Sequence, residues 1–328
     1  MNQWTPNDIP DLRGKMAIIT GATSGLGFET ARALASRNAH IILACRNLEK
    51  GRQAQAQIKA GVPEASLEVL PLDLASLAAI RRFAADVQQR HTRLDLLFNN
   101  AGLMAIPRQE TQDGFEMQFG VNHLGHFALT GLLLPLLLTA PASRVITTTS
   151  LARSMGTVRF DDLQRQNAYR RWESYGQSKR ANLLFSFELQ RRLSLAGART
   201  ISVAAHPGAA NTNLQRNSVN TTGSGALLER LFYATLWPLM SQTARMGALP
   251  QLYAGLAPSL VGGELVGPAG MGHLRGAPAV DRQAASEDDQ QTAARLWEVS
   301  VELTGVDYAQ LQTSEQPAET RGKSSPAL

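Results

Sequence analysis

A tyrosine and a lysine four positions apart, Tyr175 and Lys179 in Tyr-Gly-Gln-Ser-Lys, carry the clearest chemistry in this chain. On a helix the two project from one face, a turn apart. A lysine held beside a phenol favours the phenolate, so such a tyrosine can take or give a proton near neutral pH. Far upstream stands a second group, Thr20-Gly-Ala-Thr-Ser-Gly-Leu-Gly27. Gly21, Gly25 and Gly27 permit a tight turn, a close approach to a pyrophosphate and tight packing of helix on strand, with Thr23, Ser24 and Leu26 filling the loop between them. The pyrophosphate would lie at the helix N-terminus, where unpaired N–H groups and the dipole favour negative charge. Either motif alone is weak. Together, in this order within an α/β pattern, they point to hydride transfer with a nicotinamide cofactor.

The second strand bears on which cofactor. An NAD site usually has an acidic residue near that strand's end to accept the ribose 2′-OH. Here the stretch reads Leu43-Ala-Cys-Arg46-Asn, with no carboxylate. Arg46 is suited to charge-assisted bonds with a 2′-phosphate, which favours NADP over NAD. The plainer alternative is an exposed arginine at a strand end. Lys50, one helical turn on, would assist a phosphate contact.

These groups need a scaffold, and hydrophobic periodicity supplies it. Short apolar runs predict strands at Met16–Thr20, His40–Cys45, Leu67–Pro71, Leu94–Asn99, Arg144–Thr149, Thr200–His206 and Glu264–Val266. Helical patterns fall between them, over Leu26–Ser36, Leu48–Ala60, Ser76–Arg90, Gly114–Leu138, from Tyr175 to about Leu195, and Ser286–Leu303. Alternation with short connections demands right-handed crossovers and a parallel sheet covered on both faces. The expected architecture is a single doubly wound α/β Rossmann domain of about seven strands. It would span 1–312, with substrate loops at about 151–174 and 209–246 and a disordered tail at 313–328.

Composition removes other classes. The 328 residues, 44% hydrophobic and 18% charged, describe an ordinary globular chain. The formal charge of +5 comes from dispersed pairs such as Arg81-Arg82 and Arg191-Arg192. No basic run is interleaved with aromatics, so nucleic acid is not expected as a partner. The single cysteine, Cys45, excludes an internal disulfide and fits a reducing compartment; as a small apolar residue ending a buried strand it needs no reactive role. The polar first fifteen residues lack a signal peptide's apolar core, so a cytoplasmic location is expected. Phe127–Leu138 is too short to span a bilayer and contains Pro135. The apolar segment 226–240 reads as a lid or oligomer contact, with a membrane-surface helix as the alternative. His123 and His126 stand three apart on a helix, but no third ligand has fitting spacing, and no metal is expected.

The motifs follow the order found in short-chain dehydrogenases/reductases: Thr20-Gly-x-x-x-Gly-x-Gly27, Asp73-Leu74, Asn99-Asn-Ala-Gly102, Asn122, Ser150, Tyr175-x-x-x-Lys179 and Pro207-Gly208. The resemblance covers roughly residues 12 to 305. Val121-Asn-His-Leu-Gly-His-Phe127 and the run after Tyr175 resemble the retinol-dehydrogenase and WW-domain-oxidoreductase branch. It implies Tyr175 as acid/base, Lys179 lowering the tyrosine pKa and binding the nicotinamide ribose, Ser150 holding the substrate oxygen, and Asn122 holding a water in a proton relay. It also implies Asp73 and Leu74 beside the adenine, Asn100, Ala101 and Gly102 under the adenosine ribose, and Pro207, Gly208 and Thr212 at the nicotinamide. Thr147, Thr148 and Thr149 precede Ser150 and leave its strand phase open.

Serine and tyrosine are 25 positions apart (175 minus 150), wider than in most of the superfamily. The intervening Arg153–Ser174 therefore forms a longer loop, expected over the pocket, as the branch shares. An NADP-dependent oxidoreductase acting on a carbonyl/alcohol pair of an apolar substrate is the favoured reading. A reductase of a carbon–carbon double bond, protochlorophyllide reductase-like, and a non-catalytic NADP-binding regulatory protein are the alternatives. A homodimer is the family default.

Overall fold

The computed structural model describes residues 4–210, 241–281 and 287–311. The chain begins as the sequence pattern expects: β1 (Met16–Thr20), α1 (Gly25–Ala35), β2 (His40–Cys45), α2 (Leu48–Gly61), β3 (Ser66–Pro71), α3 (Leu77–Arg90) and β4 (Leu96–Asn99). A long helix, α4 (Met117–Thr139), precedes β5 (Arg144–Thr148). Then follow α5 (Arg171–Leu195), β6 (Ile201–Ala205), α6 (Leu249–Leu256), β7 (Leu265–Gly270), β8 (Arg275–Asp281) and α7 (Glu287–Thr304). The segments 226–240 and 313–328 lie outside the described residues, as does most of 209–246.

All strands form one eight-stranded sheet in the order β3-β2-β1-β4-β5-β6-β7-β8. Every pairing is parallel except β7 with β8. The chain winds outward from β1 to β3, then returns to place β4 on the other side of β1. That reversal opens a crevice beyond the carboxyl ends of β1 and β4, where ligands of open α/β sheets bind.

Alternation along the strands divides the core. Ile18 of β1 joins Leu97, Val145, Phe127 and Leu133 on one face. Its neighbours Ala17 and Ile19 join Ile41, Leu34, Ile58 and Leu252 on the other. Helices cover both faces, so the strands are apolar almost throughout.

Three features depart from the local pattern. β8 is an added edge strand; its Pro278 and the preceding glycines read locally as turn, and only pairing with β7 makes it a strand. α4 begins at Met117 instead of Gly114, because the buried Glu116 carboxylate caps it, accepting from the N–H groups of Gln118 (2.9 Å) and Phe119 (2.8 Å). Within α4, Gly120–Leu124 form a π turn, a form that often marks functional positions. With mean hydropathy 1.5, α4 is long and apolar enough to cross a membrane, yet 83% of that stretch is buried inside the fold.

The sheet ends are pinned by polar and aromatic contacts. Buried Asp95 accepts from Lys15 Nζ (2.8 Å) and the Met16 N–H (3.0 Å), aligning the starts of β1 and β4. At the other end of the chain, Tyr308 plugs the space above Gly131, its ring tilted against Trp297 at 4.5 Å and Phe127 at 5.0 Å between centroids. Its hydroxyl donates to the Phe127 carbonyl at 2.7 Å. Truncating so buried a ring removes packing and leaves a cavity beside α4. Tyr308→Ala should therefore lose about 3–5 kcal/mol of stability in urea unfolding; a loss below about 1 kcal/mol would show the C-terminal segment to be dispensable.

Candidate active site

The turn after β1 is built from close backbone contact. Gly21 (φ +67°) and Gly25 (φ +57°) adopt left-handed conformations that side chains disfavour. A Cβ on Gly21 would lie 2.9 Å from the Ala101 Cα, and one on Gly27 would lie 2.5 Å from the Gly21 carbonyl oxygen. Thr20 locks this arrangement: its hydroxyl oxygen accepts from the N–H groups of Asn100 and Ala101, both at 2.9 Å. Asn100 Nδ2 donates back to the Thr20 carbonyl at 2.7 Å. Ser24 occupies the N-cap of α1 but makes no side-chain cap bond, so the first N–H groups of that helix keep their capacity for a ligand.

A cleft of about 330 Å³ opens here. Gly21, Thr23, Ser24, Gly25, Leu26, Arg46, Asp73, Leu74, Asn100, Ala101 and Gly102 all line it. Gly27 lies beneath it as a packing glycine. The arrangement fits a dinucleotide: an uncapped helix start, glycines at the approach, and a cleft over the switch point. Arg46 and Lys50 sit at its exposed rim, and their charged ends make no ion pair among the described residues. Cys45, also at the lining, is a buried strand-end thiol whose pKa burial pushes up.

Tyr175 and Lys179 lie together on α5. Both are buried, and Lys179 Nζ stands 5.9 Å from the tyrosine ring centroid. That ammonium donates to the Thr148 carbonyl at 3.1 Å. A Cβ on Gly102 would lie 3.4 Å from it and 3.1 Å from Asn122 Oδ1, so the lysine reaches the edge of the cleft where only a glycine leaves room. Burial lowers the Lys179 pKa from 10.5 to about 8. Around Tyr175 the wall is apolar, formed by Met104, Ala105, Ala152 and Trp172.

Asn122 sits within the π turn and joins the cleft to the helix. Its Nδ2 donates to the Leu103 carbonyl and to Ser178 Oγ, both at 2.9 Å, and its Oδ1 accepts from the Leu103 N–H at 2.8 Å. Ser178 in turn donates to the Tyr175 carbonyl at 2.8 Å. The hydroxyls at the end of β5 differ in their partners, and Thr147 Oγ1 is buried without a hydrogen-bond partner among the described residues. Thr148 donates to Gln251 Oε1 (3.2 Å), and Thr149 donates to the Lys179 carbonyl (2.6 Å). Ser150 Oγ accepts from the Ala152 N–H (3.2 Å) and keeps its own proton available among the described residues.

The turn after Ser150 lies directly on α5, because Gly156 and Gly176 meet backbone to backbone. Much of Arg153–Ser174 is likewise docked. Gln177, between Tyr175 and Lys179, accepts from Arg165 Nε (3.1 Å) and donates to the Leu163 carbonyl (2.9 Å). Val158 and Leu163 pack with Phe119, Ala181 and Leu184.

Gly208 (φ +62°) packs against the Leu274 carbonyl, and the Pro207 carbonyl accepts from Gln242 Nε2 at 2.8 Å. Neither residue lines the cleft, and Thr212 lies outside the described residues.

Three positioning residues escaped the sequence reading. His126 Nδ1 faces the Asn122 carbonyl at 2.9 Å and must donate, so its Nε2 accepts from the Thr20 hydroxyl at 2.9 Å. Burial pushes its pKa down to about 4, so the ring is neutral. Gln251 of α6 bridges Thr148 to Thr30 and the Leu26 carbonyl at the start of α1. Thr20 was legible as part of the glycine motif but not as its lock. His123, by contrast, bonds away from the site, to Ser300 Oγ at 2.9 Å.

Known proteins resemble this chain over most of its length. A family model described as "short chain dehydrogenase" matches residues 15–223. Retinol dehydrogenase 13 of Homo sapiens is 41% identical over 307 residues, 93% of this chain and 88% of that protein. Polyprenol dehydrogenase of Mus musculus is 39% identical over 306 residues, 92% and 87% of the respective chains. A crystal structure of a protein from Mycobacterium paratuberculosis superimposes with a TM-score of 0.76 at 39% identity, covering 94% of this chain and 99% of that one. With the turn at Gly21–Gly27 and the Tyr175–Lys179 pair on one side of the crevice, this chain belongs to the short-chain dehydrogenase/reductase family, in its retinol dehydrogenase branch.

Proposed function

We propose that this dehydrogenase/reductase moves a hydride between NADP and an apolar alcohol/aldehyde or ketone pair, with Tyr175 as acid/base. The observation that carries the reading is the buried Lys179 ammonium, which stands between the Tyr175 ring and the Gly102 edge of the dinucleotide cleft. The cofactor, when bound, supplies the hydride. Everything else falls to the chain. During reduction negative charge develops on the substrate oxygen; the Ser150 hydroxyl donates to it, and Tyr175 delivers the proton. Lys179 keeps positive charge beside the phenol, which favours loss of that proton. Asn122 holds the cleft loop and the catalytic helix in register and takes part in the relay that returns the proton.

The apolar wall around Tyr175 supports a hydrophobic substrate, and two relatives carry retinol and polyprenol, both long apolar alcohols, in their names. Arg46 and Lys50, exposed at the rim and without ion-pair partners among the described residues, support the 2′-phosphate of NADP. The reading includes a homodimer and a cytoplasmic location.

Tyr175→Phe should lower kcat/KM about 10²-fold or more while NADPH binding, followed by fluorescence, stays unchanged. Activity within a few-fold of wild type would exclude Tyr175 as the acid/base. Arg46→Ala should weaken NADPH binding by roughly 10-fold or more and leave NADH binding alone; equal losses for both would remove the 2′-phosphate contact.

Lys179 also makes a stability prediction. Its folded-state pKa of about 8 lies below the ordinary 10.5, so between these values the unfolded chain binds more protons. Stability must then rise with pH across that window. Replacing the lysine removes the rise, so the stability difference between Lys179→Met and wild type should shift in favour of wild type between pH about 8 and 10.5. Urea midpoints of the cofactor-free proteins measure it, and parallel pH profiles would contradict the buried-ammonium reading.

A further inference from the structure

A second cluster lies at the opposite end of the sheet from the cleft, roughly 20 Å away along β2. His40 opens β2, Glu68 lies in the edge strand β3, and His91 caps the C-terminus of α3. One ligand atom from each falls within 4.8 Å of the other two. His40 Nε2 stands 3.0 Å and His91 Nε2 3.6 Å from the same oxygen, Glu68 Oε1. Neither contact has hydrogen-bond geometry, and both ring nitrogens are buried atoms with no hydrogen-bond partner among the described residues. Two orphaned imidazole nitrogens converging on one carboxylate oxygen are costly unless something sits between them.

We propose that His40, Glu68 and His91 form a binding site for a divalent ion of the zinc type, with a fourth position open to water. Ligand atoms around a tetrahedral zinc ion at about 2.0–2.1 Å lie roughly 3.3 Å apart, between the two distances seen here. The surrounding contacts orient the ligands. Ser66 Oγ engages His40 Nδ1 at 2.7 Å, leaving Nε2 for the ion. Arg90 stands 3.9 Å from the other Glu68 oxygen, and its own charge is met by Asp86 at 2.8 Å. The sequence reading weighed a metal only at His123 and His126, since these three residues are 28 and 23 positions apart (68 minus 40, 91 minus 68). Bound there, the ion would tie the edge strand β3 to β2 and α3.

The test uses the untagged full chain, stripped with a chelator and titrated with Zn²⁺ by calorimetry and thermal unfolding. One ion per chain should bind, raising Tm by about 5 °C at a hundredfold excess over Kd. His91→Ala and Glu68→Gln, both at partly exposed positions, should each abolish the shift while unfolding near wild type in metal-free buffer. His273→Ala, which breaks the other cluster of possible ligands at His206, His273 and Asp281, should retain it. No binding by wild type, an unchanged shift in Glu68→Gln, or a shift lost only in His273→Ala would each overturn the proposal. Should His91→Ala fail to fold, Glu68→Gln alone decides.

Discussion

Backbone presses on backbone where β1 ends. Gly21, Gly27 and Ala101 approach so closely that a methyl group on either glycine would strike main-chain atoms. This contact sets how far the turn after β1 stands from the loop after β4, and so the width of the crevice between them. The Thr20 hydroxyl fastens it from beneath through two amide groups. Without that spacing the uncapped start of α1 would not face a cleft, and Gly102 would not bring the lysine to its edge.

The Tyr175 half of the site hangs from the same point through a buried polar network. Thr20 reaches His126, His126 reaches the Asn122 carbonyl, and the Asn122 amide ties Leu103 to Ser178 beneath Tyr175. Apart from the part-buried Asn122–Leu103 contacts, the bonds in that chain lie out of water, where a satisfied polar group rigidifies and an unsatisfied one is costly. Lys179 stands apart from this economy. Among the described residues its ammonium is held by a single carbonyl, and burial disfavours its charge. A charge kept in a place that opposes it is the mark of a working group.

The stretch between Ser150 and Tyr175 shows how tertiary contacts redefine a loop. By length it reads as a cover. In the fold its apolar residues Val158 and Leu163 pack beside α5, and Arg165 is buried with positive φ against Gln177. Docking this segment fixes the first turn of α5, and the Gly156–Gly176 contact fixes the turn that carries Ser150.

Local spacing was enough to read the glycine turn, the Tyr175–Lys179 pair, Arg46 at the end of β2 and the order of strands and helices. Each depends on a period of two or 3.6 residues, or on one residue type at one turn, and these properties are written in the chain itself. The phase of Ser150 was not, since four consecutive hydroxyl residues look alike until α5 and α6 claim Thr149 and Thr148. Nor was β8, which is a strand only because β7 lies beside it. His126 and Gln251 gain their roles from partners more than a hundred positions away in Thr20 and Thr148. Sequence alone determined the family and the fold class; tertiary structure decided which polar groups are used up by the protein and which remain for a ligand, because that depends on partners brought together only by packing.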